Sequence, residues 1–214
     1  MKDPGMDLTT ISTIIVALIT AVIGPVVVEW VRSKIKSKKE ESQTTVGEAV
    51  ELGYVIDEKL EHMMDHLKCD RIWIAQFHNG GHFYPTGKSI QKFSIFYEKL
   101  SVGTASLRSM LQNIPVSLFP KALNEIHTNE ELRIPSFEPG NEFYGMESIS
   151  IPLKTKSFYM YGLYNLEDRL IGVMGIAFNG EEHKLSGDEM DYIATKNGVI
   201  GTLLTNYLYN PTKK

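Results

Sequence analysis

The chain predicts an α+β domain, an antiparallel sheet with helices packed on one face, preceded by a transmembrane helix. Three observations carry this. Leu8 to Val28 is a run of 21 residues without a charge, followed by Arg32, Lys34, Lys36, Lys38 and Lys39. Near the other end, two apolar β-rich segments, Phe158 to Leu163 and Leu170 to Phe178, flank the polar turn Asn165-Leu166-Glu167-Asp168. A capped, amphipathic segment then closes the chain, the helix needed to cover one sheet face.

A 21-residue run at 1.5 Å per residue spans roughly 30 Å of hydrocarbon, so residues 8–31 read as a transmembrane helix with Trp30 at headgroup level. The cluster Arg32, Lys34, Lys36, Lys38 and Lys39 belongs at an anionic membrane surface, each cation gaining about 1 kcal/mol there. Lys2 is opposed by Asp3 and Asp7 ahead of the run, so the charge bias puts residues 1–7 outside and the C-terminal domain in the cytoplasm. A secretory signal would need cations before the apolar stretch and a small-residue cleavage site after it. Residues 32–45 read as a basic polar linker, 46–209 as the folded domain and 210–214 as a tail. With a formal charge of −4 over 214 residues, and its cations gathered at the linker, the domain is acidic and no nucleic-acid partner is expected. The single Cys69 excludes an internal disulfide and a multi-cysteine metal site.

Ala49, Gly53, Ile56, Leu60, Met63 and Leu67 form a heptad-like stripe of fewer than three heptads. It fits either packing against the domain's own sheet or a dimer-forming helix. Arg71 to Phe77 reads as a buried strand meeting a turn at Asn79-Gly80-Gly81, and Lys92 to Leu100 as a second strand. Four prolines between Pro115 and Pro139 break the middle into short pieces, with Val116 to Ile126 the best helical candidate. Ser148 to Leu153 alternates like a strand as far as Pro152, and the two segments around Asn165 make a hairpin. Ser186-Gly187-Asp188-Glu189 has capping-box spacing, and Ile193, Ile200, Leu204 and Leu208 supply one face of the last helix. Gly198 and Gly201 each cost that helix about 1 kcal/mol against Ala, which predicts close approach of another helix.

Three segments bring a family likeness. Gly145-Met146-Glu147-Ser148-Ile149-Ser150-Ile151-Pro152-Leu153 resembles a GAF-domain strand leading into an Ile-Pro step. Leu170-Ile171-Gly172-Val173-Met174-Gly175-Ile176 resembles the family's central strand, and Leu185-Ser186-Gly187-Asp188-Glu189 the capped start of its final helix. The resemblance implies a GAF-like sensory or regulatory domain whose small-molecule pocket lies under Ser101 to Tyr144. Cyclic-nucleotide-binding members carry an Asn-Lys-Phe-Asp-Glu pattern; here Asn179, Lys184, Asp188 and Glu189 occur with Leu185 in place of Phe and different spacing, so that ligand is not implied. Bilin-binding and methionine-sulfoxide-reducing members depend on cysteines in or near the pocket, which Cys69 alone does not supply. An anchor joined to such a domain also resembles small proteins of bacteria and their phages.

The candidate ligand contacts are His78, Asn79, His82, Tyr84 and Lys92 around the first sheet end, with Arg108, Arg133 and Tyr144 in the irregular section. They suit a small anionic ligand, the imidazoles changing charge near neutral pH. Gly81 to Ser89 ends in Gly-Lys-Ser like a phosphate-binding loop, but five residues separate its glycines and no helix follows. His62 and His66 sit one turn apart without a third ligand, so no metal is expected; no cofactor or catalytic residue is identified either. The expectation is a non-catalytic, membrane-anchored sensory module that forms a homodimer, with a ligand-free protein-interaction module as the alternative, such as a phage protein docking a host membrane component.

Overall fold

In the computed structural model the described residues are 24–208, and they divide into two compact units, Met1–Ala49 and Val50–Lys214. Most of the expected span at residues 8–31, and the N-terminus before it, lie outside the described residues. Among the described residues no helix is long and apolar enough to cross a membrane. Residues 32–45, the expected linker, lie within α1 (Gly24–Leu67). Residues 32–46 contain neither Gly nor Pro and are rich in Lys, Glu and Gln, residues that lose little rotamer freedom in a helix.

The second unit is built on a six-stranded antiparallel sheet of order β3-β2-β1-β6-β5-β4. Its strands are β1 (Arg71–His82), β2 (Ser89–Leu100), β3 (Ile114–Pro115), β4 (Glu131–Ile134), β5 (Ser157–Tyr164) and β6 (Leu170–Phe178). Side chains alternate across the sheet, so β1 sends Ile72 and Ile74 into one core and Arg71, Trp73 and Ala75 to the opposite face. The first core lies under α1 and the final helix α4 (Gly187–Leu208). The second lies under α2 (Pro120–Asn129), the one-turn α3 (Glu147–Ser150) and the connecting loops. Both faces are therefore covered, the long helices on one and short pieces on the other.

The stripe on α1 resolves toward the domain's own sheet. Leu52, Ile56, Leu60, Met63 and Leu67 are buried in the first core, whereas Ala49 is exposed and Gly53 half-buried. Lys99 on β2 ties the same helix down through Asp57 at 2.9 Å and Glu61 at 3.3 Å.

Three local expectations are corrected. Asn79-Gly80-Gly81 is not a turn; β1 continues to His82, and the glycines sit at a register irregularity between Asn79 and His82, where Gly81 takes φ +107°. Asn79 Oδ1 accepts across the ladder from Ser89 Oγ at 3.0 Å and Gln91 Nε2 at 3.1 Å. Ser148 to Leu153 is not a strand. Met146, Ile149 and Leu153 face the second core at helical spacing, and backbone bonds run locally from Ser150 N to Met146 O and from Ile151 N to Glu147 O. The strand after α2 is instead β4, where Leu132 and Ile134 are buried and Glu130, at φ +65°, makes the break.

In α4 the capping box forms as expected: Ser186 N donates to Glu189 Oε2 at 2.8 Å and Glu189 N to Ser186 Oγ at 3.2 Å. Ile193, Ile200 and Leu204 are buried, but Leu208 is exposed. Among the described residues the group nearest to Gly201 is a strand end, not a helix. A Cβ on Gly201 would lie 2.8 Å from the backbone oxygen of Tyr164 at the end of β5, and one on Gly198 would meet nothing within 4 Å.

Candidate functional site

The second face of the sheet encloses a small apolar cavity. Its floor is Trp73 on β1, Phe93 on β2, Phe158 and Met160 on β5 and Val173 on β6, and its roof is Leu107, Leu111, Phe119, Leu123, Met146, Ile149 and Leu153. Gly175 on β6 makes the floor possible, because a Cβ there would stand 2.2 Å from the Trp73 ring. The indole therefore lies flat on the sheet and stacks toward Phe158, with centroids 6.4 Å apart.

Arg71, 1% exposed, is the one charged side chain in this wall. Its Nη2 donates to Ala105 O at 2.7 Å, and its Nε stands 3.9 Å from Glu98 Oε1. Glu98 is itself occupied, accepting from Ser106 Oγ at 2.5 Å, Leu107 N at 2.8 Å and Arg108 N at 3.2 Å. Burial draws the Arg71 guanidinium below its ordinary value, with Glu98 and Asp70 opposing that shift. Two donors in the wall, Arg71 Nε and Trp73 Nε1, are buried and have no hydrogen-bond acceptor. A buried donor left unmade costs about 1–3 kcal/mol, more when charged.

The cavity volume is about 30 Å³, room for a water or a very small molecule, where drug-sized sites occupy roughly 300–1,000 Å³. Leu153 separates it from a polar surface cleft of about 430 Å³ lined by Asp70, Ser101, Thr104, Lys154 and Asn179. Asp70 is spent on structure there: Oδ1 accepts from Ser101 Oγ at 2.9 Å and Oδ2 from Asn179 N at 2.7 Å.

The residues singled out from the sequence do not converge on this cavity. His78, Asn79, His82, Tyr84 and Lys92 lie on the β1–β2 arm, where His78 Nε2 is 2.9 Å from Ser94 Oγ and Tyr84 is fully exposed. Arg108 lines a separate surface cleft with Tyr54, Asp57 and Glu98. Arg133 pairs with Glu131 at 2.5 Å on β4, and Tyr144, at φ +53°, packs against the second core. The segment expected to roof the pocket, Ser101 to Tyr144, does supply Leu107, Leu111, Phe119 and Leu123. Arg71 and Trp73 were legible in principle: a charged residue that opens the run Ile72-Trp73-Ile74-Ala75 must find a buried partner.

Among the described residues no group of three His, Cys, Asp or Glu is placed to hold a metal. His66 stacks on Tyr192 with centroids 4.0 Å apart. Cys69 belongs to the first core, across the sheet from the cavity, and burial pushes its thiol up to about 12, which removes it as a nucleophile at neutral pH.

No family model matches the chain, and no curated protein does. Solved structures match its fold. The phycocyanobilin-bound GAF domain from a cyanobacterial phytochrome superposes with a TM-score of 0.61 at 16% identity, covering 86% of this chain and 97% of that one. The blue-light-absorbing form of the Thermosynechococcus elongatus PixJ GAF domain gives 0.58 at 15%, covering 76% and 90%. The red-light-absorbing state of NpR6012g4, a red/green cyanobacteriochrome, gives 0.57 at 13%, covering 75% and 98%. At these identities the likeness establishes a GAF-like α+β fold.

Proposed function

We propose that this chain is a membrane-anchored, cytoplasm-facing GAF-like sensory module that binds a small acceptor-bearing anion, a carboxylate of a few non-hydrogen atoms, without catalysing a reaction on it. One observation carries the reading: Arg71 Nε and Trp73 Nε1 are buried, lack acceptors and belong to residues that line one cavity. A carboxylate oxygen is an acceptor for such N–H donors, and Glu98 already stands 3.9 Å from Arg71 Nε. The similar solved domains include one bound to phycocyanobilin; a cavity of about 30 Å³ and a thiol on the wrong side of the sheet argue for a far smaller ligand here. Residues 8–31 supply the anchor by length and charge bias. A homodimer rests on a second row along α1, Val50 and Tyr54, which are 68 and 71% exposed at four-residue spacing.

The test is native mass spectrometry of the Thr44–Lys214 fragment purified from cells, joined to thermal melts with formate, acetate and lactate. A retained or stabilising anion in the wild type, lost in Arg71→Met and weakened in Trp73→Phe, supports the reading. A ligand at a hundred times its Kd stabilises by about 2.7 kcal/mol, easily resolved. A wild type that emerges empty and melts identically with every anion overturns it. The small cavity would then favour the alternative, a protein-interaction module that needs no ligand.

A further inference from the structure

The β1–β2 hairpin outruns the sheet. β6 pairs with β1 only from Arg71 to Gln76, while β1 and β2 pair on to His82 and Ser89. β3 reaches β2 only at Lys92 and Phe93. Beyond those residues the arm is a two-stranded ribbon, closed by Phe83 N to Lys88 O at 2.8 Å and Gly87 N to Phe83 O at 2.8 Å. Its chemistry is one-sided in a chain of net negative charge: between Asp70 and Glu98 there is no Asp or Glu. The ribbon carries Lys88 and His82, with Lys92 and His78 paired at its base, and its tip presents Phe83, 52% exposed, and Tyr84, 97% exposed. Lys92 is held in place by its stem, which lies across Gly80 so closely that a Cβ there would stand 2.2 Å from Lys92 Cδ.

We infer that this hairpin tip is a second membrane contact, seated at the headgroup level of an anionic bilayer. Aromatic rings at a tip and cations behind them are the pairing that the lipid–water interface selects: the rings enter the interface and the ammonium groups meet lipid phosphates. The ribbon ends in its exposed aromatic residues, Phe83 and Tyr84, the part that would meet a planar surface. The inference rests on the anchor reading of residues 8–31, which keeps a bilayer at high effective concentration.

The test uses the full chain with a nitroxide on Thr86→Cys; Cys69, 4% exposed, stays unlabelled. The protein is placed in vesicles of phosphatidylcholine alone and of phosphatidylcholine with one third phosphatidylserine. Flotation reports anchoring, and collision with dissolved oxygen against an aqueous nickel chelate reports the position of the tip. In anionic vesicles the label gains oxygen contact and loses nickel contact. Lys88→Gln and Lys92→Gln each lower that population about fivefold, the factor equivalent to about 1 kcal/mol per cation. Phe83→Asp with Tyr84→Asp returns the label to water, with no buried residue altered. A chain that floats while its label stays aqueous in both vesicles overturns the hairpin inference and leaves the anchor. A chain that floats in neither removes both. A label shielded by polyglutamate but not by anionic vesicles makes the tip an acidic-protein site and overturns the lipid assignment.

Discussion

Replacing Leu60 by Ala separates the two uses open to the α1 stripe, core packing and dimer seam. Leu60 has no exposed surface and lies in the core shared by α1, β1, β6 and α4. Three carbons removed at about 0.8 kcal/mol each forfeit about 2.4 kcal/mol, and the cavity left behind raises the loss to about 3 kcal/mol. For a domain of roughly 160 residues, with about 2.1 cal/mol/K of unfolding entropy per residue, that lowers Tm by about 9 °C. The assay is thermal and urea unfolding of the Thr44–Lys214 fragment over a hundredfold range of protein concentration. The loss should be the same at every concentration, because the contact is within one chain. Val50→Glu and Tyr54→Glu lie on the exposed row; they should leave the melt within about 0.5 kcal/mol and reduce the mass in solution from dimer to monomer. A Leu60→Ala loss below about 1 kcal/mol, or one that shrinks as protein concentration rises, would refute the core assignment and restore the dimer seam.

The two glycines of α4 should respond in opposite directions. Gly198→Ala meets open space and should stabilise by about 1 kcal/mol through helix propensity, whereas Gly201→Ala drives a methyl to 2.8 Å from a backbone oxygen of Tyr164 and should destabilise by about 1–3 kcal/mol; chemical denaturation of both variants reads the signs. Glu189 gives a pH signature. Burial pushes its carboxyl upward, but hydrogen bonds from Ser186 N and Oγ, joined by His183, prevail and hold it below the ordinary carboxylate range. A depressed value means the contribution is full above the unfolded pKa of about 4.3 and is lost as pH falls through the folded one. Glu189→Gln should therefore destabilise at pH 7 and converge with the wild type on acidification below pH 4, measured by urea unfolding; a gap that persists at low pH would assign the loss to packing.

What was legible in the sequence was whatever a local pattern decides. The β5–β6 hairpin announced itself because two apolar runs flank Asn165, whose Oδ1 then accepts from Glu167 N and Arg169 N. The capping box is legible for the same reason, since its partners are three residues apart. The misreadings fall where two periods fit the same letters. Ser148 to Leu153 alternates in twos, yet Met146, Ile149 and Leu153 also sit three and four apart, and the tertiary demand for a roof decided for the helical turn. Asn79-Gly80-Gly81 has turn composition, but turn composition also suits an irregularity in a long ribbon, and only the partner strand distinguishes the two. The cavity was illegible residue by residue because its donors are on β1 and its roof comes from a separate stretch, Leu107 to Leu153, of short helices and loops folded back. His78, His82 and Lys92 are clustered polar residues in the sequence; the arm that carries them is a surface, and the charged group in the cavity wall is Arg71, paired with Glu98.

The placement of Arg71 and Trp73 bears on how a ligand signal would leave this domain. They alternate along β1 with Ile72 and Ile74, which are fully buried in the core under α1 and α4. A strand in mid-sheet, bonded to β2 and β6 on its two edges, shifts as a unit, so an anion drawn against two residues of one face is felt by the interleaved residues of the other. The receiving element is α1, whose Ile56, Leu60 and Met63 share that core. Such coupling is limited to the difference in affinity between two arrangements of that strand, and two donors left unmade supply such a difference: filled, they release the roughly 1–3 kcal/mol that each withholds from the empty state. Arg71→Met should thus abolish both binding and any response, while Ile74→Val, which trims the opposite face by one methylene, should leave binding intact and weaken only what reaches α1.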